Sequence, residues 1–289
     1  MNTNDMVAAS VLAFVLLAAF LEWLSGRSGN GARTGGDWKI AGLTTVMMVV
    51  VQRPLVLLII GLSLAAVFPT SAGSLSWLEQ SYFWPTLIAF FCLEELIHGA
   101  GHYFAHSRRP KMKWAQTLQA FYKLSHRPHH ISGDDERGQI SVTQTFTNGW
   151  LWWFIMPNYW FQLSCLYLGL TEVFLWGTVA KGLWSAHTHC NWNYDLYFHN
   201  HKWAWVRKTM WGLAHIITFP TQHHHHHARG KNSAKNVCGS LAIYDWLIFD
   251  TLAIETSRPE VYGWRQSERE QKSVFHRYFN TDVKQYLPR

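Results

Sequence analysis

Residues 138–171 form an uncharged segment, because none of these 34 residues is Asp, Glu, Lys or Arg. Apolar runs also occupy 6–21, 40–68 and 83–106, and the second run is interrupted at Arg53. A helix of roughly 20 apolar residues crosses the hydrocarbon core of a bilayer, where only helices and closed barrels satisfy every backbone hydrogen bond. These segments therefore predict an all-α integral membrane protein with four to five spans, the second of them kinked.

The content of charged residues also favours a membrane environment. Charged residues make up 15% of the chain, against roughly 25% in soluble globular proteins. The net charge is +7, but the basic residues border the apolar runs, where they determine topology and contact lipid headgroups. We therefore exclude nucleic acid as a partner. The four cysteines have no CxxC spacing, which indicates neither a disulfide framework nor a thiolate zinc site.

Lys and Arg are concentrated in 26–39, in 107–137 and beyond residue 201, whereas 69–77 and 168–171 contain none. By the positive-inside rule, we expect a multi-pass protein with its N-terminus outside and these basic segments in the cytosol. Every histidine group then lies at the cytoplasmic end of a span or just beyond it. Aromatic residues near the span ends predict an interfacial belt, formed by Trp150, Trp152, Trp153, Tyr159, Trp160, Trp203 and Trp205.

The third apolar run ends in an HxxxH motif formed by His102 and His106. Residues four apart share one helix face, so both imidazoles can bind the same ion. Glu95 and His98 lie on that face one to two turns earlier. We expect Glu95 to orient a ligand ring without binding metal. For His98 three roles remain open: ligand, support for a ligand, or contact with substrate.

Three further histidine groups follow along the chain. They are an HxxHH motif, a histidine pair after the hairpin predicted at 148–185, and a run of five that contains one more HxxHH frame. We interpret His224 and His225 as intervening residues within that frame. Ten candidate ligands are more than one ion can bind and fit two ions with four or five nitrogens each. An all-imidazole set favours iron or zinc over magnesium or calcium. The candidates are His102, His106, His126, His129, His130, His187, His189, His223, His226 and His227.

The combination of motifs over about residues 83–254 resembles the fatty acid hydroxylase and sterol desaturase superfamily of integral-membrane dimetal oxygenases. Glu95 precedes HxxxH by seven residues, the first HxxHH follows about twenty residues later, and Asn191 completes a His-x-Asn motif after the hairpin. The second HxxHH is followed by Asn236 and by the aromatic-acid pair formed by Tyr244 and Asp245. The sequence departs from the family in having Glu95 where an Asp is usual.

The resemblance implies a membrane core of two helical hairpins under a cytosolic helical cap that holds two metal ions. It implies an N-terminal transmembrane region at 1–82, a catalytic domain at 83–254 and a cytosolic tail at 255–289. The expected metals are two iron ions, with zinc possible in purified protein, and no catalytic residue is expected beyond their ligands. Asn191, Asn236 and Asp245 would orient ligand rings around them.

The activity implied by the resemblance is O2-dependent hydroxylation or desaturation of a C–H bond in a membrane lipid. Because the sequence has no haem, flavin or ferredoxin motif, electrons would come from a separate cytochrome b5- or ferredoxin-like protein. One alternative is a fatty acyl desaturase or alkane hydroxylase of the other membrane histidine-box family. Two others are a histidine-rich metal transporter and a zinc hydrolase.

Overall fold

The structure is a computed structural model that describes residues 3–24, 35–130, 140–145, 147–263 and 278–279. Every secondary-structure element in these ranges is helical, apart from one isolated bridge between Ala228 and Tyr262. The predicted all-α class is therefore confirmed. The α-helices are α1 (Thr3–Leu24), α2 (Gly35–Met47), α3 (Arg53–Val67), α4 (Ser76–His106), α5 (Lys113–His130), α6 (Trp152–Ile155), α7 (Pro157–Tyr167), α8 (Thr171–His189), α9 (Asp195–His199), α10 (Ala204–Leu213), α11 (Pro220–His226) and α12 (Ala242–Leu247).

One helical stretch in the described part of the chain, Lys39–Val67, is long and apolar enough by composition to cross a membrane. It joins α2 to α3 through a π-helical turn, Met48–Gln52. The sequence predicts a kink in this run at the interruption by Arg53, and the π-helical turn lies directly before that residue. The prediction of four to five spans goes beyond this single helix.

Helix α4 packs against α7 and α8 and forms the centre of the helical assembly. The predicted start of the third run, at residue 83, falls just after Tyr82, whose backbone is not helical (φ −139°, ψ 45°). Phe90 of α4 lies so close to α8 that a Cβ on Gly177 would be 2.4 Å from its ring. The two long helices therefore meet at close range, and a side chain at residue 177 would force them apart.

The hairpin predicted from spans at 148–168 and 172–185 has a different first arm. Residues 148–151 are not helical, α6 has four residues, and Met156 is extended before α7 begins at Pro157. Proline disfavours a helical backbone at the residue before it, and Met156 is extended, so α6 ends there and α7 begins at Pro157. The return arm is longer than predicted, because α8 continues to His189.

Helix α5 and the elements that follow α8 correspond to the predicted cap. Helix α5 continues through the whole first HxxHH motif, with Pro128 inside it. Helices α9 to α12 and the loops between them follow α8 and place the run of five histidines on α11 and at its C-cap. Most of the tail predicted at 255–289 lies outside the described residues.

Candidate metal centre

Nine of the ten candidate ligands gather in two groups, in each of which the potential ligand atoms all lie within 4.8 Å of one another. The five-histidine group consists of His102, His106, His126, His130 and His226. The four-histidine group consists of His129, His189, His223 and His227. The two groups adjoin, because the rings of His130 and His227 stack with their centroids 4.4 Å apart.

Each HxxHH motif contributes to both groups. On α5, the first and last histidines enter the five-histidine group and His129 enters the other group. On α11 the arrangement is reversed, because His226 alone joins the five-histidine group. Positions i+3 and i+4 are about 100° apart around a helix, so the middle histidine of each motif points away from the first and last. In this crossed pattern, α5 and α11 each contribute histidines to both groups.

In the five-histidine group, hydrogen bonds fix which ring nitrogens point inward. Nδ1 of His102 donates to the carbonyl oxygen of Val237 at 2.6 Å, and Nδ1 of His126 lies 3.1 Å from Oδ1 of Asn148. In a neutral ring with its proton on Nδ1, Nε2 carries a lone pair. The Nε2 atoms of His102 and His126 are 2.8 Å apart, so two lone pairs face each other.

The four-histidine group has the same organisation. Nδ1 of His129 lies 3.1 Å from the carbonyl oxygen of Gln144, and Nδ1 of His189 lies 2.6 Å from that of Ser185. The Nε2 atoms of His129 and His189 are 3.1 Å apart, and that of His223 is 3.1 Å from His189. The unprotonated Nε2 atoms of His129 and His189 therefore face each other, and Nε2 of His223 lies beside them.

This arrangement fits a metal ion between the nitrogens. Facing lone pairs repel unless a cation lies between them, and metal–nitrogen bonds of about 2.1 Å place neighbouring ligands of a right-angled coordination shell about 3.0 Å apart. The Nε2 atoms of His106 and His226 are buried and have no hydrogen-bond partner among the described residues. The donor set is entirely imidazole, which suits iron or zinc.

The electrostatics of the cap histidines favour the neutral, metal-binding form. Burial lowers the pKa of His126, His129 and His130 well below the ordinary value for histidine, and neighbouring imidazoles lower it further. The same causes lower the pKa of His223. Burial, partly offset by a hydrogen bond to the carbonyl of Lys235, lowers the pKa of His226 to about 4. Protons therefore compete weakly for these nitrogens at neutral pH.

The residues expected to orient ligand rings act on backbone instead. Asp245 accepts hydrogen bonds from the backbone N–H of Val237 at 2.8 Å and from the Thr251 hydroxyl at 2.6 Å. Asp245 also accepts a hydrogen bond at 3.1 Å from the backbone N–H of Cys238, which belongs to the same peptide as the Val237 carbonyl that holds His102. Burial raises the pKa of Asp245 to about 6, although these hydrogen bonds oppose the shift. Glu95 accepts a hydrogen bond from the backbone N–H of Ser240 at 2.7 Å, so it connects α4 to the same loop.

The two predicted asparagines also hold loops. Asn236 has a left-handed backbone (φ 51°) and uses its amide to bond the carbonyl oxygens of Gln222 and Ala253. Asn191 bonds through its backbone N–H to Glu22 of α1 and through its side chain to Arg258. These contacts position the chain around α11 and after α8.

The remaining candidate histidines lie outside both groups. His187 does not converge with His189, because residues two positions apart on a helix point in nearly opposite directions. Its Nε2 lies instead 2.6 Å from the Tyr194 hydroxyl. His98 lies one turn from His102, with ring centroids 5.5 Å apart. His224 bonds the carbonyl oxygen of Cys190 and His225 that of Ser257, in agreement with their interpretation as intervening residues.

Several residues around the centre were not predicted from the sequence. Trp152, assigned to the aromatic belt, is instead buried and stacks on His126 with centroids 4.4 Å apart. Asn148 was marked only as the start of a span. The backbone carbonyls that hold ligand rings carry no side-chain signal, so composition and spacing could not have identified them.

A second buried polar cluster joins α4, α7 and α8. Glu94 accepts hydrogen bonds from Asn158 at 2.8 Å and Gln162 at 3.0 Å, and Lys181 lies 3.3 Å from its other oxygen. Lys181 also pairs with Glu95. All these side chains are buried or nearly so, and the sequence analysis assigned a role only to Glu95.

The chain matches no family model, no curated protein and no solved structure.

Proposed function

We propose that the protein is a membrane-bound dimetal oxygenase that hydroxylates or desaturates a C–H bond of a lipid, using O2 and electrons from a separate protein. The observation that carries this proposal is the pair of adjoining all-imidazole groups with inward-facing, unprotonated nitrogens. Two bound iron ions would supply the oxidant that an unactivated C–H bond requires, which no side chain can provide.

The chain's own residues perform the other tasks. Hydrogen bonds to Val237, Asn148, Gln144 and Ser185 keep ligand rings in one tautomer. The centre is buried, so water is excluded from the imidazoles, and Trp152 closes the side next to His126. Five and four nitrogens leave positions of six-coordinate ions for reactants, unlike a closed tetrahedral structural zinc site.

Surface composition supports a membrane location and a lipid substrate. Large apolar side chains are exposed along α3 and α4, among them Leu58 at 56%, Leu62 at 64%, Trp84 at 70% and Ile88 at 63%. A soluble monomer rarely exposes contiguous apolar patches beyond a few hundred Å². We place these surfaces in the hydrocarbon core as part of a multi-pass bundle, with the metal centre at its cytoplasmic end.

The proposal is tested by incubating membranes that contain the iron-loaded protein with reductant, an electron carrier and 18O2. We expect labelled hydroxyl groups or new double bonds in the lipid extract, absent from membranes that carry the His226→Ala variant. Lipid products that form equally well under nitrogen would refute the oxygenase and favour the zinc hydrolase. Metal uptake into proteoliposomes without lipid products would favour the transporter.

A further inference from the structure

Helix α1 packs against α8 and against the short helical turn Val142–Gln144 through a single stripe of its surface. Val15, Ala18 and Ala19 belong to the apolar cluster at this contact. Residues at positions i, i+3, i+4 and i+7 share one face of a helix, so the stripe continues to Glu22. The apolar stripe of α1 therefore ends in a carboxylate.

Glu22 is buried, with 1% of its surface exposed, and its carboxylate accepts hydrogen bonds from two backbone N–H groups. Oε1 accepts the N–H of Asn191 at 2.7 Å, and the backbone nitrogen of Val142 lies 3.3 Å from the same oxygen. A buried carboxylate is costly unless hydrogen bonds compensate for the lost water, and hydrogen bonds to an ionised acceptor are stronger than neutral ones. Glu22 therefore ties α1 to two separate segments of the chain, the turn at 142–144 and the loop after α8.

The first of these segments holds His129. Val142 begins the turn and Gln144 ends it, and the carbonyl oxygen of Gln144 lies 3.1 Å from Nδ1 of His129. The Gln144 side chain also accepts a hydrogen bond from the backbone N–H of Ser141 at 3.0 Å, which closes the turn. Because the turn is short and closed, a shift of the Val142 backbone moves the carbonyl that orients His129.

The second segment holds His189 and contacts α11. His189 is the last residue of α8, and Asn191 follows it by two positions. The N–H of Asn191 and the carbonyl of Cys190 belong to one peptide, and Nε2 of His224 donates to that carbonyl at 3.0 Å. This peptide is therefore held between Glu22 on one side and α11 on the other, directly after His189.

The two segments meet at one pair of nitrogens. Nε2 of His129 and Nε2 of His189 lie 3.1 Å apart in the four-histidine group. In the five-histidine group, by contrast, His102 is held by the carbonyl of Val237, which belongs to neither segment. Glu22 therefore supports the four-histidine group more directly than the other.

We propose that Glu22 is a positioning residue of the four-histidine group, and that α1 is thereby part of the metal centre. Its carboxylate holds the backbone on both sides of the pair formed by His129 and His189, so that the two Nε2 atoms stay at a separation that one ion can bridge. The N-terminal region expected at 1–82 then contributes to metal binding by the region at 83–254. The inference rests on the metal-binding part of the proposed function and not on its lipid substrate or its oxygen chemistry.

The test is the Zn²⁺ affinity of the purified full chain, measured by competition with a chelator. Two backgrounds isolate the ions, because His226→Ala disrupts the five-histidine group and His189→Ala disrupts the four-histidine group. In the His226→Ala background, Glu22→Leu should weaken Zn²⁺ binding by about 10-fold, the lower end of the loss caused by removing residues that orient ligands. In the His189→Ala background the same change should weaken binding by a smaller factor. Glu22→Gln keeps one acceptor oxygen, so it should show the same selectivity with a smaller loss, and it decides the matter if Glu22→Leu fails to fold.

Glu79→Leu is the matched control, which separates positioning from a general loss of stability. Glu79 of α4 accepts the backbone N–H of Val173 at 2.9 Å, the same kind of bond at the other end of α8, and its loss should leave the Zn²⁺ affinity of both groups unchanged. Equal weakening by the Glu22 variants in both backgrounds, no weakening in either, or the same loss from Glu79→Leu overturns the proposal. Unaltered protein that binds no Zn²⁺ would also refute the dimetal centre of the proposed function, whereas two bound ions with an unselective effect of Glu22 would overturn this inference alone.

Discussion

The Nε2 atoms of His102 and His126 face each other at 2.8 Å, while the Nδ1 atoms of both rings are engaged by Val237 and Asn148. The two residues are 24 positions apart in sequence, and their helices α4 and α5 thus direct lone pairs into one small volume. A repulsive contact of this kind is stable only when a cation occupies the space between the nitrogens.

Metal stoichiometry should respond to each histidine group separately. We expect about two iron or zinc ions per chain, given nine converging nitrogens. His226→Ala should lower the content toward one by disrupting the five-histidine group, and His189→Ala should do so by disrupting the other. His225→Ala is the matched control from the same histidine run and should retain two ions. Elemental analysis of purified protein checks this, and identical metal content in all three variants would contradict the division into two groups.

The crossed pattern of the HxxHH motifs gives a sharper version of this test. His129→Ala should affect the same ion as His223→Ala, although its neighbours His126 and His130 belong to the other group. In proteins loaded with one equivalent of metal, X-ray absorption should show four nitrogens or five according to which group has been disrupted. A double variant of His129 and His223 should lose no more ions than either single variant.

Asn148 should tune metal affinity through His126. Asn148→Ala removes the acceptor that keeps the His126 proton on Nδ1, and loss of such a partner weakens metal affinity by roughly 10- to 100-fold. Asn148→Asp retains an acceptor oxygen and should restore most of the affinity. Competition with a chelator measures both. Equal affinities for the alanine variant and the unaltered protein would show that the contact does not set the ring tautomer.

The sequence predicted which histidines are candidate ligands better than it predicted which of the two groups each one joins. HxxxH and HxxHH specify which imidazoles share a helix face, because that geometry is local. The division between groups depends on how α4, α5 and α11 pack together, and spacing does not contain that information. The sequence could have shown that His187 and His189 do not bind the same ion, since residues two positions apart on a helix point in nearly opposite directions. The prediction of one continuous membrane helix over 148–168 was wrong, because α6 ends before the extended Met156 and α7 begins at Pro157.

Asp245 should make stability depend on pH. Burial raises its pKa from 3.8 to about 6 in the folded chain, so the stability it contributes is fully present below pH 3.8 and is lost as pH rises through 6. Above that pH the folded protein contains a buried ionised carboxylate, whereas Asp245→Asn does not. The difference in melting temperature between the two proteins should therefore shift in favour of the variant between about pH 4 and pH 6, from the unfolded pKa of 3.8 to the folded pKa near 6. Thermal unfolding at fixed metal content in detergent measures it, and a difference independent of pH would contradict the assigned pKa.

The proposed topology predicts opposite sides for two exposed positions. Ala72 follows α3 and precedes α4, and Lys231, with a side chain 84% exposed, lies in the cap after α11. Ala72→Cys should react with a membrane-impermeant thiol reagent from outside, and Lys231→Cys only after the membrane is opened. Three of the native cysteines are buried, and Cys92 is partly buried, so the unaltered protein provides the background. Labelling of both positions from one side would contradict the topology.

Lys181 should stabilise the fold because it pairs with two buried carboxylates. Glu94 and Glu95 are 1% and 0% exposed, and Lys181 pairs with both. Removing one partner of a buried ion pair leaves an uncompensated charge and costs about 3–5 kcal/mol. Lys181→Met should therefore lower the melting temperature and the yield of monodisperse protein, and the added change Glu94→Gln should recover part of the loss because it removes one stranded charge. Lys208→Met, at an exposed position of α10, is the matched control and should leave both readouts unchanged. A double variant less stable than Lys181→Met alone would show that the cluster is held together by the hydrogen bonds of Glu94 rather than by charge balance.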